Sequence, residues 1–234
     1  MSIYAISDLH LAANDPSKAM DIFGEHWRDH DRKIEKAWRK GVSEEDLVLV
    51  PGDISWAMHL KDAMADLRFI ADLPGKKILL RGNHDFWWNS LTKIRSVLPE
   101  GMEVLQNNAY RFGAAVICGS RGWVTSAEES SQDYKIYMRE AQRLRLSLEA
   151  GERLRQEGDK LLVMMHYPPF NDRQENSLFT ELYREFGVSL VLYGHLHNLS
   201  AGYAFEGERE GVVYRHVSCD YIDFTPQLLD PYLK

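Results

Sequence analysis

The sequence predicts an α/β fold whose strands empty polar side chains into one crevice, and three observations predict it. First, five short apolar runs have strand length, and each ends in Asp, His or Asn. Second, the stretches between them carry apolar residues at helical spacing. Third, with 44% hydrophobic and 27% charged residues, the 234-residue chain has an ordinary globular composition with material for one large core. In open α/β sheets the crevice at the carboxyl ends of the strands is where ligands bind. The five loops span positions 8 to 197 and have to converge, so one domain over residues 1–234 is expected.

The centre of the pattern is Lys77-Ile78-Leu79-Leu80 leading into Arg81-Gly82-Asn83-His84-Asp85. Around it the same design recurs. Residues 2–7 open on Asp8-Leu9-His10, and residues 47–50 with Pro51 open on Gly52-Asp53. Residues 161–165 open on His166, and residues 188–193 on Gly194-His195-Leu196-His197. Alternate residues of an extended segment point the same way, so Asp8-x-His10 is expected to aim both side chains at one point from an extended backbone.

Taken in order, strand 2–7 is followed by irregular chain over 11–27, with Asn14-Asp15-Pro16 as turn chemistry. A helix is expected from Asp29 to Arg39, burying Ile34, Ala37 and Trp38 and stopped by Gly41. A second runs from Ala57 to Ala71 with Ala63, Leu67 and Ile70 inward, ended by Pro74-Gly75. Strand 76–81 precedes a helix over Asn89 to Leu98. Residues 102–119 contain short strands with Asn107-Asn108 as a turn. A long charged helix over Asp133 to Gln156 places Ile136, Leu144 and Leu148 on one face, its charged side being solvated surface. Strand 161–165, a helix near 177–186 and strand 188–193 complete the alternation. Runs over Ala201–Phe205 and Gly211–Val217, split by Glu206-Gly207-Glu208, predict an antiparallel hairpin.

The net charge of −7 and pI near 5.7 argue against a surface for membranes or for non-specific nucleic-acid binding, since both need a basic face. The two cysteines, Cys118 and Cys219, read as small buried hydrophobes, which leaves disulfides and structural zinc without support. No targeting segment or apolar run of membrane-spanning length is visible, so the expected location is cytoplasmic.

Of nine histidines, five (His10, His84, His166, His195, His197) lie in strand-end loops, whereas His26, His30, His59 and His216 read as ordinary structural residues. Imidazole, carboxylate and amide donors without thiolate suit manganese, iron or zinc, with nickel also compatible.

Asp8-x-His10, Gly52-Asp53, Gly82-Asn83-His84-Asp85, His166 and Gly194-His195-x-His197 resemble, in that order, the motif set of the calcineurin-like metallophosphoesterases. The resemblance implies a four-layer α/β/β/α sandwich of two mixed sheets flanked by helices, with a dinuclear metal centre. By carry-over, Asp8, His10, Asp53 and His197 would hold the first ion. Asp53, Asn83, His166 and His195 would hold the second, so Asp53 bridges. A hydroxide held by the ions would attack phosphorus in line. His84 would protonate the leaving oxygen or stabilise its charge, and Asp85 is expected either to orient His84 or to cap the next helix.

Many family members carry a further acidic residue shortly after Gly-Asp, where this chain has Ile54-Ser55-Trp56. Trp56, Trp87-Trp88 and Gly122-Trp123 resemble a prokaryotic subgroup of predicted phosphohydrolases. Their spacing from the motifs predicts that Trp56, Trp87 and Trp123 wall the pocket and that Arg121 holds a second phosphate or a carboxylate. The expected substrate is a small phosphomonoester, phosphodiester or nucleotide. A nuclease on polymeric DNA or RNA and a non-catalytic protein-binding scaffold are the alternatives. The oligomeric state is left open.

Overall fold

A computed structural model describes residues 1–125 and 128–233. The apolar runs become parallel strands at the heart of two sheets. The first sheet is built on β1 (Ile3–Ala5), β2 (Leu47–Pro51), β3 (Lys76–Leu80) and β4 (Met102–Leu105), all parallel, with β11 (Gln227–Leu228) antiparallel at the β1 edge. The second runs β5 (Tyr110–Phe112), β6 (Ala115–Ser120), β7 (Lys160–Met165), β8 (Val188–Tyr193), β10 (Val212–His216) and β9 (Gly207–Arg209). In it β6, β7, β8 and β10 are parallel, and the edge strands β5 and β9 are antiparallel.

The period of two along each strand explains the layering. Ile3, Ala5, Leu47, Leu49, Ile78 and Leu80 face Ile117, Leu162, Met164, Leu190 and Leu192, which makes a dry layer between the sheets. The alternate residues Val48, Val50 and Leu79 pack outward under α1 (His30–Gly41) and α2 (Leu60–Ala71), against Ile34, Trp38, Ala63, Leu67 and Ile70. On the other side Val116, Cys118, Leu161 and Val163 meet Leu144 and Leu148 of α4 (Gln132–Glu152) and Phe179 and Tyr183 of α5 (Leu178–Phe186). A short α3 (Leu91–Arg95) completes the helices among the described residues. Strands buried on both faces read as continuous apolar runs, which is why they were legible. The result is the four-layer sandwich of two mixed sheets. Burying each large aliphatic side chain contributes roughly 1.5–3 kcal/mol, so the layer between the sheets fixes how they face each other.

Three expectations are corrected. Residues 201–205 are not a strand: Asn198–Tyr203 forms 3-10 turns, and the hairpin joins Gly207–Arg209 to Val212–His216 through Glu210-Gly211. Both residues of that turn have positive φ, the geometry a tight hairpin turn requires. The buried face of α4 is set by Tyr137, Glu140, Ala141, Leu144, Ser147, Leu148 and Gly151 rather than by Ile136. The helix expected from Ala57 begins at Leu60, because Trp56 to His59 belong to the loop that follows β2.

Candidate metal centre

Every parallel strand ends at the same edge of the sandwich, and backbone hydrogen bonds lace the emerging loops together. Asp8 N donates to Gly52 O at 2.9 Å, His10 N to Asp53 O at 3.0 Å, and Gly194 N to His166 O at 3.1 Å. The backbone there is not extended. Asp8, His10, Asp53 and His195 have φ of 59°, 44°, 52° and 74°. Such left-handed conformations are costly for non-glycine residues and cluster at functional sites. Asp8 and His10 therefore converge through two left-handed turns after β1, and not through strand alternation as expected. The preceding glycines follow from the same crowding: a Cβ on Gly82 would collide with Asp53, and one on Gly194 with Asp8 and Ser7.

Seven side chains turn their donor atoms inward in two groups. In the first, His197 Nε2 lies 3.2 Å from Asp8 Oδ1 and 3.4 Å from His10 Nε2. In the second, Asn83 Oδ1 lies 2.6 Å from His166 Nε2 and 3.0 Å from His195 Nδ1. Asp53 Oδ2 stands between them, 3.9 Å from His10 Nε2 and 3.5 Å from His166 Nε2. Donors about 2.0–2.2 Å from a shared cation sit roughly 3–3.5 Å from one another, so both groups have nearly the spacing of a coordination shell. His84 N donates to Asp53 Oδ1 at 2.8 Å, which leaves Oδ2 for the centre.

Asp8 also falls within 4.8 Å of Asp53 and His166, which would make it a second shared residue. Hydrogen bonding argues otherwise. Its Oδ2 accepts from Ser7 Oγ, Ser218 Oγ and His195 N. The His166 atom that approaches it is Nδ1, which pairs with Pro51 O at 3.1 Å. Asp8 Oδ1 thus faces the first group most closely, and Asp53 Oδ2 lies between the two.

The charges fit cations. Burial, together with the neighbouring charges of Asp8 and Asp85, pushes the Asp53 carboxyl up to about 9. Burial holds His166 down to about 3 and His195 to about 4, so both rings are neutral with lone pairs to give. Burial opposes a charge on His197, but Asp8 and Asp220 outweigh it and raise the ring to about 10. Neither carboxylate has a Lys or Arg partner among the described residues: Asp8 is met by the charged His197 ring, and Asp53 is held toward its neutral form, so a cation entering here would take the place of protons.

The chain matches the profile of the calcineurin-like phosphoesterases over residues 1–199. It belongs to that family. It is accordingly a metal-dependent phosphoester hydrolase, and Asp8, His10 and His197, and Asp8, Asp53 and His166, are groups whose atoms lie close enough together to hold a metal ion. The gene 66 protein of Mycobacterium phage D29 is 27% identical over 198 residues, covering 84% of this chain and 79% of the phage protein. Phosphopantetheinyl hydrolase of Mycobacterium tuberculosis has the same fold, with a TM-score of 0.58 at 13% identity over 98% of this chain and 96% of that one. The Thermus thermophilus protein TT1561 gives 0.56 at 14% identity over 91% and 86%.

Several calcineurin-like positions take roles other than those expected. Asp85 is fully buried and is neither the partner of His84 nor a helix cap. Its oxygens accept from Gly82 N, Ile54 N, Ser55 N and Trp87 Nε1, so it ties the β2 and β3 loops together. Ser90 caps α3 instead. Trp87 is also fully buried, in the core with Trp88, because its indole N–H is needed by Asp85; it does not wall the pocket. Trp56 does reach the centre: its ring stacks on His10 at 4.9 Å and meets His84 at 4.5 Å. Trp123 lies further off, beneath Arg121 and against Tyr167. His84 is half-buried, and burial holds it below its ordinary value.

Asp220 went unread in the sequence, and His216 was read only as an ordinary structural residue. Asp220 accepts from His197 Nδ1 at 2.8 Å, and His216 reaches Asp8 through Ser218 Oγ at 2.9 and 3.0 Å. Their signal was present: Val212–His216 is another parallel strand, and Ser218-Cys219-Asp220 is its strand-end loop. A carboxylate behind a metal-bound imidazole fixes its orientation and basicity. Asp220→Asn should weaken metal binding about 10–100-fold, measured by competition with a fluorescent chelator. Unchanged affinity would reduce Asp220 to its bond with Asn198 N at 3.2 Å.

Proposed function

We propose that the chain hydrolyses a small phosphomonoester, phosphodiester or nucleotide at a centre of two divalent cations, as one domain in the cytoplasm. The observation that carries this is the position of Asp53 Oδ2 between two donor groups, 3.9 Å from His10 Nε2 and 3.5 Å from His166 Nε2. Asp8, His10, Asp53 and His197 would hold one ion, and Asp53, Asn83, His166 and His195 the other. The donor set suits manganese, iron or zinc, and nickel is compatible. When bound, the ions would neutralise the phosphoryl oxygens and acidify the attacking water.

The rest is the work of the protein's own groups. His84 projects beside the first group, with its ring centroid 5.8 Å from that of His10, and would place its N–H on the leaving oxygen. Trp56, and Phe86 with 52% of its surface exposed, flank His84 and would contact an apolar or aromatic leaving group. The acidic chain disfavours a long polyanion, so the substrate is small.

The test is a panel of aryl phosphates, alkyl diesters and nucleotides assayed with manganese supplied. Hydrolysis abolished by a chelator and restored by the metal is expected. Full metal occupancy with no hydrolysis of any ester would instead indicate a non-catalytic scaffold.

A further inference from the structure

Next to the second donor group lies a cleft lined by Arg81, Gln106, Asn107, Arg121, Glu140 and Arg143. Its position is set by the motifs themselves. Arg81 is two residues from Asn83, which places their Cα atoms within about 7 Å. Arg121 O accepts from His166 N at 3.1 Å and from Tyr167 N at 2.9 Å. The Tyr167 ring in turn lies 4.1 Å from that of His195.

The charge in this cleft is not balanced. Glu140, with 1% of its side chain exposed, faces Arg143 at 2.8 Å, Arg121 at 3.6 Å and Arg139 at 3.9 Å. Only the Arg143 contact is a hydrogen bond, and the other carboxylate oxygen takes Ser120 Oγ at 3.0 Å. Arg81 forms no ion pair among the described residues, although it lies close enough to Arg121 to repel it. The Nε atoms of both Arg81 and Arg121 are buried without a hydrogen-bond partner among the described residues. A buried N–H left without a partner is costly, Arg121 shares the single carboxylate of Glu140 with two other arginines, and this cationic spot stands in a chain of net charge −7. Trp123 holds the Arg121 guanidinium from below, 4.5 Å from its ring, which leaves the N–H edges to point elsewhere. The cleft itself measures about 20 Å³. That admits about one water-sized group, so one oxygen of an anion could enter it while the rest of the group lies at the mouth, against the guanidinium edges.

We infer that Arg81 and Arg121 form an anion subsite, and that the substrate carries a second phosphate or carboxylate besides the ester that is cleaved. The inference rests on the phosphoesterase reading and narrows it to bis-anionic phosphoesters. Glu140 is a positioning residue that holds Arg121 and Arg143 at the cleft.

The test compares plain alkyl phosphates with ω-phospho- and ω-carboxyalkyl phosphates of stepped chain length on the metal-loaded protein. At the best length kcat/KM for a bis-anion should exceed that for the plain ester by about tenfold or more, as expected for charge-assisted hydrogen bonds. Whichever series gains more identifies the second group. Arg121→Gln and Arg81→Gln should each lower that ratio about tenfold by raising KM for the bis-anion, while Arg121→Lys keeps part of it. A ratio near one at every length in the wild type, or a ratio preserved in both folded variants, overturns the subsite. If Arg121→Gln fails to fold, Arg81→Gln decides. Should no ester be cleaved at all, calorimetry with inorganic phosphate separates the two claims. Two phosphates bound by the metal-loaded wild type and one by Arg81→Gln would uphold the subsite, whereas one in both would reject it.

Discussion

Replacing Asp53 with alanine should strip or disorder both metal ions and cost more activity than any other single change at the site. The reason is its dual placement: Oδ1 takes the His84 amide at 2.8 Å, and Oδ2 stands between His10 Nε2 and His166 Nε2. Removing it takes a ligand from each donor group and a partner from the loop that carries His84. The loss in kcat should exceed the about 10²–10⁴-fold expected for removing a general acid alone. Elemental analysis of the purified variant checks the cause. A variant that keeps two tightly bound ions would show that Asp53 does not join the groups.

His84→Ala should separate catalysis from metal binding. Its side chain forms no hydrogen bond to a donor atom of either group among the described residues, and it lies half-buried beside Trp56. Metal content should stay at that of the wild type while kcat falls about 10²–10⁴-fold. An ester with a good leaving group needs little protonation, so its hydrolysis should fall much less than that of an alkyl ester. Loss of a metal ion in this variant, or equal losses on both esters, would contradict the role given to His84.

The parts of the molecule that were legible in the sequence share a physical cause. Strands buried on both faces must be apolar throughout, so β2, β3, β7 and β8 announce themselves, and their loops carry the metal-competent residues by the same logic. Glycine before Asp53, Asn83 and His195 is likewise forced by crowding that sequence alone can hint at. What stayed hidden depends on pairing direction and on competition for hydrogen bonds. Val212–His216 reads as half of an antiparallel hairpin, yet it also runs parallel to β8, so its far end supplies Asp220 and the His216–Ser218 link to Asp8. Asp85 follows His84 in the chain but turns inward, because three backbone amides and the Trp87 indole converge on it. Trp87 is drawn into the core by the same bond, whereas Trp56, with its N–H 3.3 Å from Met20 Sδ, lies flat on His10 at the surface of the centre. Spacing placed both tryptophans near the donor groups, and only the hydrogen-bond partners separate wall from core.

The measurement that bears most directly on the whole account is anomalous scattering from crystals of the protein loaded to saturation with manganese. Two peaks should appear about 3.5–4 Å apart, one among Asp8, His10 and His197, the other among Asn83, His166 and His195, with Asp53 touching both. A single peak at saturation, drawing ligands from both groups, would contradict it.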